Sequence, residues 1–194
     1  MRRIPCNPLP RGLVPFPKQA CSLAMQVKHA LVRRAKASVV TIGMFDGVHV
    51  GHQKILRAVA LDAHRKNADA VVLTFDQHPQ TVIGAQGQLG MVTTTAQKLR
   101  LFEQMGKACA VVIPFNANFS RIGPETFVSR FLLERLKMKE LCVGYDFAFG
   151  RNRAGNIPLL RALSVRHAFD LREFAPLRRD GVVVSSTSIR QLLQ

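Results

Sequence analysis

The chain has no tryptophan, one tyrosine (Tyr145) and only twelve acidic residues against twenty-eight Lys and Arg. No apolar run is long enough to cross a bilayer as a helix, so the sequence reads as that of a soluble protein. The cysteines, Cys6, Cys21, Cys109 and Cys142, are dispersed without CxxC spacing, which argues against a thiolate metal site or a dithiol redox motif. Cys109 and Cys142 fall in apolar strand-like runs and are expected as buried, reduced thiols of a cytoplasmic protein. Acids are missing from residues 1–45, which carry eight Lys and Arg, whereas residues 46–194 carry twenty against twelve acids. Half of the net charge of +16 therefore sits in the first quarter of the chain. Such a charge attracts polyanions of any kind. With one tyrosine and no motif interleaving arginine with aromatic residues, the pattern argues against a nucleic-acid-binding module.

Residues 1–37 hold five of the ten prolines and lack the uninterrupted apolar core of a secretory signal. They read as a basic, proline-rich N-terminal segment, poorly structured or partly helical within 22–34. Being arginine-rich and acid-free, the segment faintly resembles an organelle transit peptide, although serine is sparse. From Ser38 the texture changes. "SVVTIGMF", "DAVVLTF", "ACAVVIPF", "ELCVGYDFAFG", "FDLREFAPL" and "GVVVSS" read as strands. "HQKILRAVALDAHRK", "TTAQKLRLFEQM", "GPETFVSRFLLERLK", "NIPLLRALSVRHA" and "TSIRQLL" read as helices, the second opened by a threonine cap and the third by Pro124. This alternation predicts one α/β domain over 38–194, a Rossmann-like parallel sheet with helices on both faces. Ligands of such sheets bind beyond the carboxyl ends of the strands.

Between the first of these strands and its helix stands "GMFDGVHVGHQ", residues 43–53. Gly43 and Gly47 permit backbone conformations closed to other residues. The helix N-terminus that follows offers unpaired N–H groups to an anion. His49 and His52, three apart, add two imidazoles on one side of its first turn. The arrangement is a phosphate grip. Zinc would need a third ligand at a usable offset, and none stands there.

"GMFDGVHVGH" resembles the HxGH signature of nucleotidyltransferases, and its FDGVH core resembles bacterial FAD synthetases, the FMN adenylyltransferase modules of bifunctional riboflavin kinase/FMN adenylyltransferases. The likeness continues in order through "FDQHP" (75–79), "PFNANFSRIGPETFV" (114–128), "VGYDFAFGRNRAG" (143–155) and "SSTSIR" (185–190). It implies adenylyl transfer from ATP to FMN, giving FAD and pyrophosphate, with Mg²⁺ carried on the ATP phosphates. It also implies roles. His49, His52 and Arg190 would meet the triphosphate, and Gly43, Phe45, Gly51, Ser186 and Thr187 would bind the nucleotide, the last two also capping the final helix. Asp46 would orient the turn or touch the nucleotide. Asp146 would contact the nucleoside, Phe149 and Gly150 would shape the adenine pocket, and His78 and Pro79 would edge the flavin. The stretch with Gly84, Gly87 and Gly90 would form a mobile lid.

Two departures accompany the likeness. Met44 stands where the family commonly has Asn, and the riboflavin kinase module that normally follows is not seen after Gln194, so no kinase activity is expected of this chain. The alternatives are transfer to another phosphorylated acceptor, such as phosphopantetheine or a sugar phosphate, a flavin-binding pseudo-enzyme, and a basic RNA binder.

Overall fold

β-Branched runs in this chain become strands buried on both faces, as a parallel sheet between two helical layers requires. The computed structural model describes residues 27–28, 33–78, 90–105 and 109–193. The strands β1 (Val27–Lys28), β2 (Ser38–Ile42), β3 (Asp69–Phe75), β4 (Cys109–Ile113), β5 (Met138–Gly144) and β6 (Asp170–Phe174) form one six-stranded sheet in the order β1-β4-β3-β2-β5-β6. Every pairing in it is parallel. An antiparallel ribbon, β7 (Arg178–Arg179) with β8 (Val182–Val183), follows.

The alternation of side chains sorts the core into two layers. Val40, Val71, Leu73, Val111, Leu141 and Val143 face one side, against Phe127, Leu132, Leu160 and Leu163. Val72 and Ala110 point the other way, against Leu56 and Phe102. Val39 and Cys142 do the same against Val59 and Ala63. Helices α1 (Val50–Arg65) and α2 (Thr95–Gln104) thus cover one face. The other is covered by α3, which begins at Pro124–Thr126, and by α4 (Ile157–His167). A last helix, α5 (Ser186–Leu192), closes the chain. Helix α2 opens with a capping box between Thr94 and Gln97, so the threonine cap is where the sequence put it.

Two features differ from the sequence reading. Within the basic segment, Val27 and Lys28 are neither loose nor helical; they pair with Ala110 and Val111 as the sheet's edge strand. Farther on, Arg34 binds Asp69 at 2.6 Å and donates its N–H to the Arg135 carbonyl. An ion pair and sheet bonds offset the weak propensity of this stretch, so its packing begins before residue 38. The transit-peptide reading concerns the whole segment, of which residues 1–26 and 29–32 lie outside the described residues. The second difference is that α3 changes, at Phe127–Arg135, into a π-helix. The wider winding brings Phe127, Leu132 and Leu136 to the buried side and stacks Phe127 on Phe131 at 5.8 Å.

Cys109 and Cys142 are buried free thiols, as expected. Cys142 lies in a buried polar network in which Lys66 contacts Glu140 at 2.7 Å and Arg172 pairs with Asp62. Among the described residues no helix is long and apolar enough to cross a membrane.

Candidate active site

Strand order reverses beside β2. From there β3 and β4 lie to one side, β5 and β6 to the other. The carboxyl ends of β2 and β5 frame a cavity of about 270 Å³, lined among others by Gly43, His49, His52, Asp146, Ser185 and Thr187. This is the switch point where doubly wound sheets take their ligands.

The turn between β2 and α1 is strained. Phe45 sits at φ 50 and Val48 at φ 37, and only Gly47, at φ 74, takes such a value without steric cost. A left-handed backbone at a residue with a side chain costs about 1 kcal/mol or more, and most for a β-branched one. Three braces hold it. The Asp46 carboxylate, 2% exposed, accepts from the Val92 and Thr93 N–H groups at 3.1 and 3.0 Å and from the Thr93 hydroxyl at 3.3 Å. The Asp46 carbonyl accepts from the Ser186 hydroxyl at 2.8 Å, which docks α5 on the turn. The Met44 carbonyl accepts from Lys98 Nζ at 2.9 Å. Both Asp46 carboxylate oxygens are engaged by the chain at 92–93.

His49 caps α1. Its Nδ1 accepts from the His52 N–H at 3.4 Å, and the two rings stack at 3.6 Å. His52 also meets the edge of Phe45 at 5.2 Å. Burial, then His49, then Lys98 drive the His52 pKa down to about 3, so its ring is neutral at pH 7. Burial lowers His49 too, against the pull of Asp146 and Asp46. Both shifts favour the neutral imidazole over the cation. Gly51 must be small here, because a Cβ would lie 3.1 Å from His49 Nδ1.

A second cavity, of about 470 Å³, shares Ile42 and Phe147 with the first. Its walls carry Phe75, Phe115, Phe119, Phe127, Phe147 and Phe149, and its lining includes Arg121, Arg151 and Arg153. Phe149 and Gly150, expected to shape an adenine pocket, line this cavity and not the one with the histidines. Phe149 stacks on Phe147 at 5.3 Å and bridges to Gly155.

Other expected residues fall as follows. Phe45, Gly51, Ser186 and Thr187 line the first cavity. The cap of α5 is Ser185, accepting from the Ser188 N–H, rather than Ser186 or Thr187. Arg190 is not among the lining residues of that cavity. Its Nε donates to the Ser186 carbonyl at 3.1 Å, and its charge reaches His78, whose pKa is lowered first by burial and then by Arg190. Pro79 and the proposed lid with Gly84 and Gly87 lie outside the described residues; Gly90 stands in open space, where a Cβ would meet nothing within 4 Å. Sequence reasoning missed Lys98, which reads as an ordinary polar position of an amphipathic helix. It also missed the phenylalanine-lined cavity, whose walls come from residues far apart in the chain.

Comparison with known proteins follows the same motifs. The sequence profile of the family described as FAD synthetase matches residues 32–188. A protein of Buchnera aphidicola (from Acyrthosiphon pisum) named bifunctional riboflavin kinase/FMN adenylyltransferase is 31% identical over 156 residues, 80% of this chain and 50% of that one. The protein of that name from Escherichia coli K12 is 32% identical over 155 residues, with the same two shares. A Geobacillus thermodenitrificans protein, whose name assigns the same two activities provisionally, is 39% identical over 158 residues, 81% of this chain and 83% of its own. The chain spans about half the length of the first two. The crystal structure of a macrolide-efflux protein from Streptococcus pneumoniae shares the fold, with a TM-score of 0.74 at 21% identity over 87% of this chain and 55% of that one.

Proposed function

The chain belongs to the FAD synthetase family, and from that premise we propose that it is an FMN adenylyltransferase, moving AMP from ATP to FMN with release of pyrophosphate. The observation that carries this reading is the pair of adjoining cavities. One holds His49, His52, Ser185 and Thr187 at a helix N-terminus, the other is walled by six phenylalanines, and Ile42 and Phe147 belong to both. A nucleotide suits the first and a flat aromatic acceptor the second. A sugar phosphate or phosphopantetheine would leave the aromatic walls without a planar partner.

In this reading an oxygen of the FMN phosphate bonds to the α-phosphorus of ATP as the bond from that phosphorus to the departing pyrophosphate breaks. The acceptor phosphate is already ionised, so no base has to remove a proton. The site's task is alignment and stabilisation of charge on the transferring and leaving groups. His49 and His52 serve as neutral donors to the phosphates, with the N–H groups at the start of α1 beside them. Thr187 adds a hydroxyl. Arg190 offers its remaining guanidinium N–H groups to phosphate oxygens beyond the walled cavity, and His78 stands on that side. ATP enters as its magnesium complex. Asp146 is the one carboxylate residue among the described lining residues of the histidine-lined cavity, so that lining supplies no all-protein cage. The arginines of the second cavity suit an anionic acceptor, and the reduced thiols suit a cytoplasmic setting.

Purified protein given ATP, FMN and Mg²⁺ is expected to form FAD and pyrophosphate, resolved by chromatography with flavin fluorescence. No FAD above the level of a His52→Ala variant rejects the proposal. Replacing FMN by other phosphorylated acceptors in the same assay tests the substrate class.

A further inference from the structure

Lysine is rarely sealed in a protein interior, because desolvating an ammonium is costly unless a charge or several oxygens compensate. Lys98 on α2 is 0% exposed. It forms no ion pair among the described residues. Its Nζ instead donates to two main-chain carbonyls, Met44 at 2.9 Å and Phe75 at 3.0 Å. Asp46 and Asp76 are the carboxylates whose field it feels, but their oxygens serve elsewhere: those of Asp46 on Val92 and Thr93, and Asp76 Oδ1 on the Phe115 N–H at 2.9 Å. The ammonium thus ties the residue before left-handed Phe45 to the last residue of β3. A neutral side chain of this length could fill the space, yet it could not satisfy both carbonyls as a cation does. Because His49 and His52 are uncharged at pH 7, Lys98 is also a fixed positive charge behind the phosphate-facing turn.

We propose that Lys98 is a positioning residue for the nucleotide: its buried ammonium holds the 43–47 turn against the end of β3 and adds positive potential beneath the histidine pair. This rests on the reading that the histidine-lined cavity takes ATP. The contact with Met44 is to its carbonyl, so it survives whatever side chain stands at 44.

A pH dependence follows. Burial lowers the Lys98 pKa to about 8, against the raising influence of Asp46 and Asp76. The groups facing it are Asp46 on the turn, Asp76 after β3 and His52 on α1, while Arg100 and Glu103 of its own helix are exposed. The charge is present below pH 8 and lost above it, so ATP affinity falls on the alkaline side. By linkage, bound ATP raises the Lys98 pKa.

ATP binding is to be measured by calorimetry at pH 7 and pH 9.5 on wild type, Lys98→Arg and Lys98→Met. The wild type is expected to lose affinity roughly tenfold between the two, as one charge near a polyanion would give. Lys98→Arg, whose guanidinium keeps its proton, is expected to lose much less. Lys98→Met is expected to bind weakly at both values. Equal pH profiles for wild type and Lys98→Arg, or wild-type affinity in Lys98→Met at pH 7, would overturn the proposal. Should the variants fail to fold, the wild type alone decides: NMR of the Lys98 Cε follows its titration, whose midpoint must rise on adding ATP, and an unmoved midpoint is fatal. A wild type that binds no ATP at any pH overturns the adenylyltransferase reading along with this one, whereas ATP binding indifferent to Lys98 sinks this inference only.

Discussion

The two adjoining cavities are built by opposite means. The histidine-lined one gathers its polar groups, among them His49, His52, Ser185 and Thr187, from two short stretches, 43–55 and 184–187, with the ends of β5 and β6 completing it. Its shape depends on a strained turn that buries Phe45 and Val48 and is braced by Asp46, Lys98 and Ser186. The aromatic one takes its walls from β2, β3, the loop after β4, α3 and the loop after β5. Its edge-to-face contacts, such as Phe75 with Phe115 at 5.5 Å and Phe119 with Phe127 at 5.8 Å, make it an extension of the core. Polar braces give a rigid grip whose failure is abrupt. Packed rings give a pocket that tolerates small changes but not the loss of space.

The contrast is broken most forcefully at Asp46. Asp46→Ala strips three donors of their acceptor and leaves Lys98 less compensated, so it should cost about 3 kcal/mol or more in urea unfolding and abolish ATP-dependent turnover. If stability and ATP affinity both survive, the turn is not braced as described.

Next in size is pH. His52 is neutral in the folded state down to about 3, whereas the unfolded ring takes a proton near 6.5. Between those values the unfolded state binds more protons, so the stabilisation is complete above about pH 6.5 and is lost as pH falls. The slope approaches about 1.4 kcal/mol per pH unit for one proton. His49, also lowered by burial, acts in the same direction. A His52→Gln variant should show a shallower slope between pH 6 and pH 4 in chemical denaturation. The aromatic cavity has no Asp, Glu or His among its described lining residues, so its variants should leave that slope alone.

Gly155→Ala probes the other side. A Cβ there would lie 2.6 Å from the Phe149 ring, which must move. Overpacking of this kind costs roughly 1–3 kcal/mol, so flavin affinity should drop about tenfold while ATP affinity stays within about twofold. Equal losses for both ligands would show the chambers are not separable. The smallest change is Ser186→Ala, which removes one hydrogen bond to the turn. It should cost about 1 kcal/mol, raise the KM for ATP about fivefold and leave flavin affinity unchanged. Steady-state kinetics with each substrate varied in turn checks it.

Local chemistry was legible in advance. β-Branched runs gave β2 to β5, Thr94 gave the start of α2, and glycines beside two histidines gave the tight turn at the head of α1. What escaped was non-local. Val27–Lys28 joins the sheet through pairing with β4, far along the chain, which no propensity of its own announces. The π-helix of α3 answers to the aromatic side chains it must seat. Phe149 and Gly150, which follow the same strand as Asp146, line the phenylalanine-walled cavity, a separation that local sequence does not announce.

By itself the sequence determined the alternation of strands and helices and the glycine-histidine turn at the head of α1, because these follow from backbone conformation and hydrogen bonding within a few residues. Only the tertiary structure decided which side chains share a chamber, that the histidines stay uncharged and that Lys98 and Asp46 brace the turn from beneath. Burial and charge proximity depend on strand order and register, and those arise only when distant segments pack.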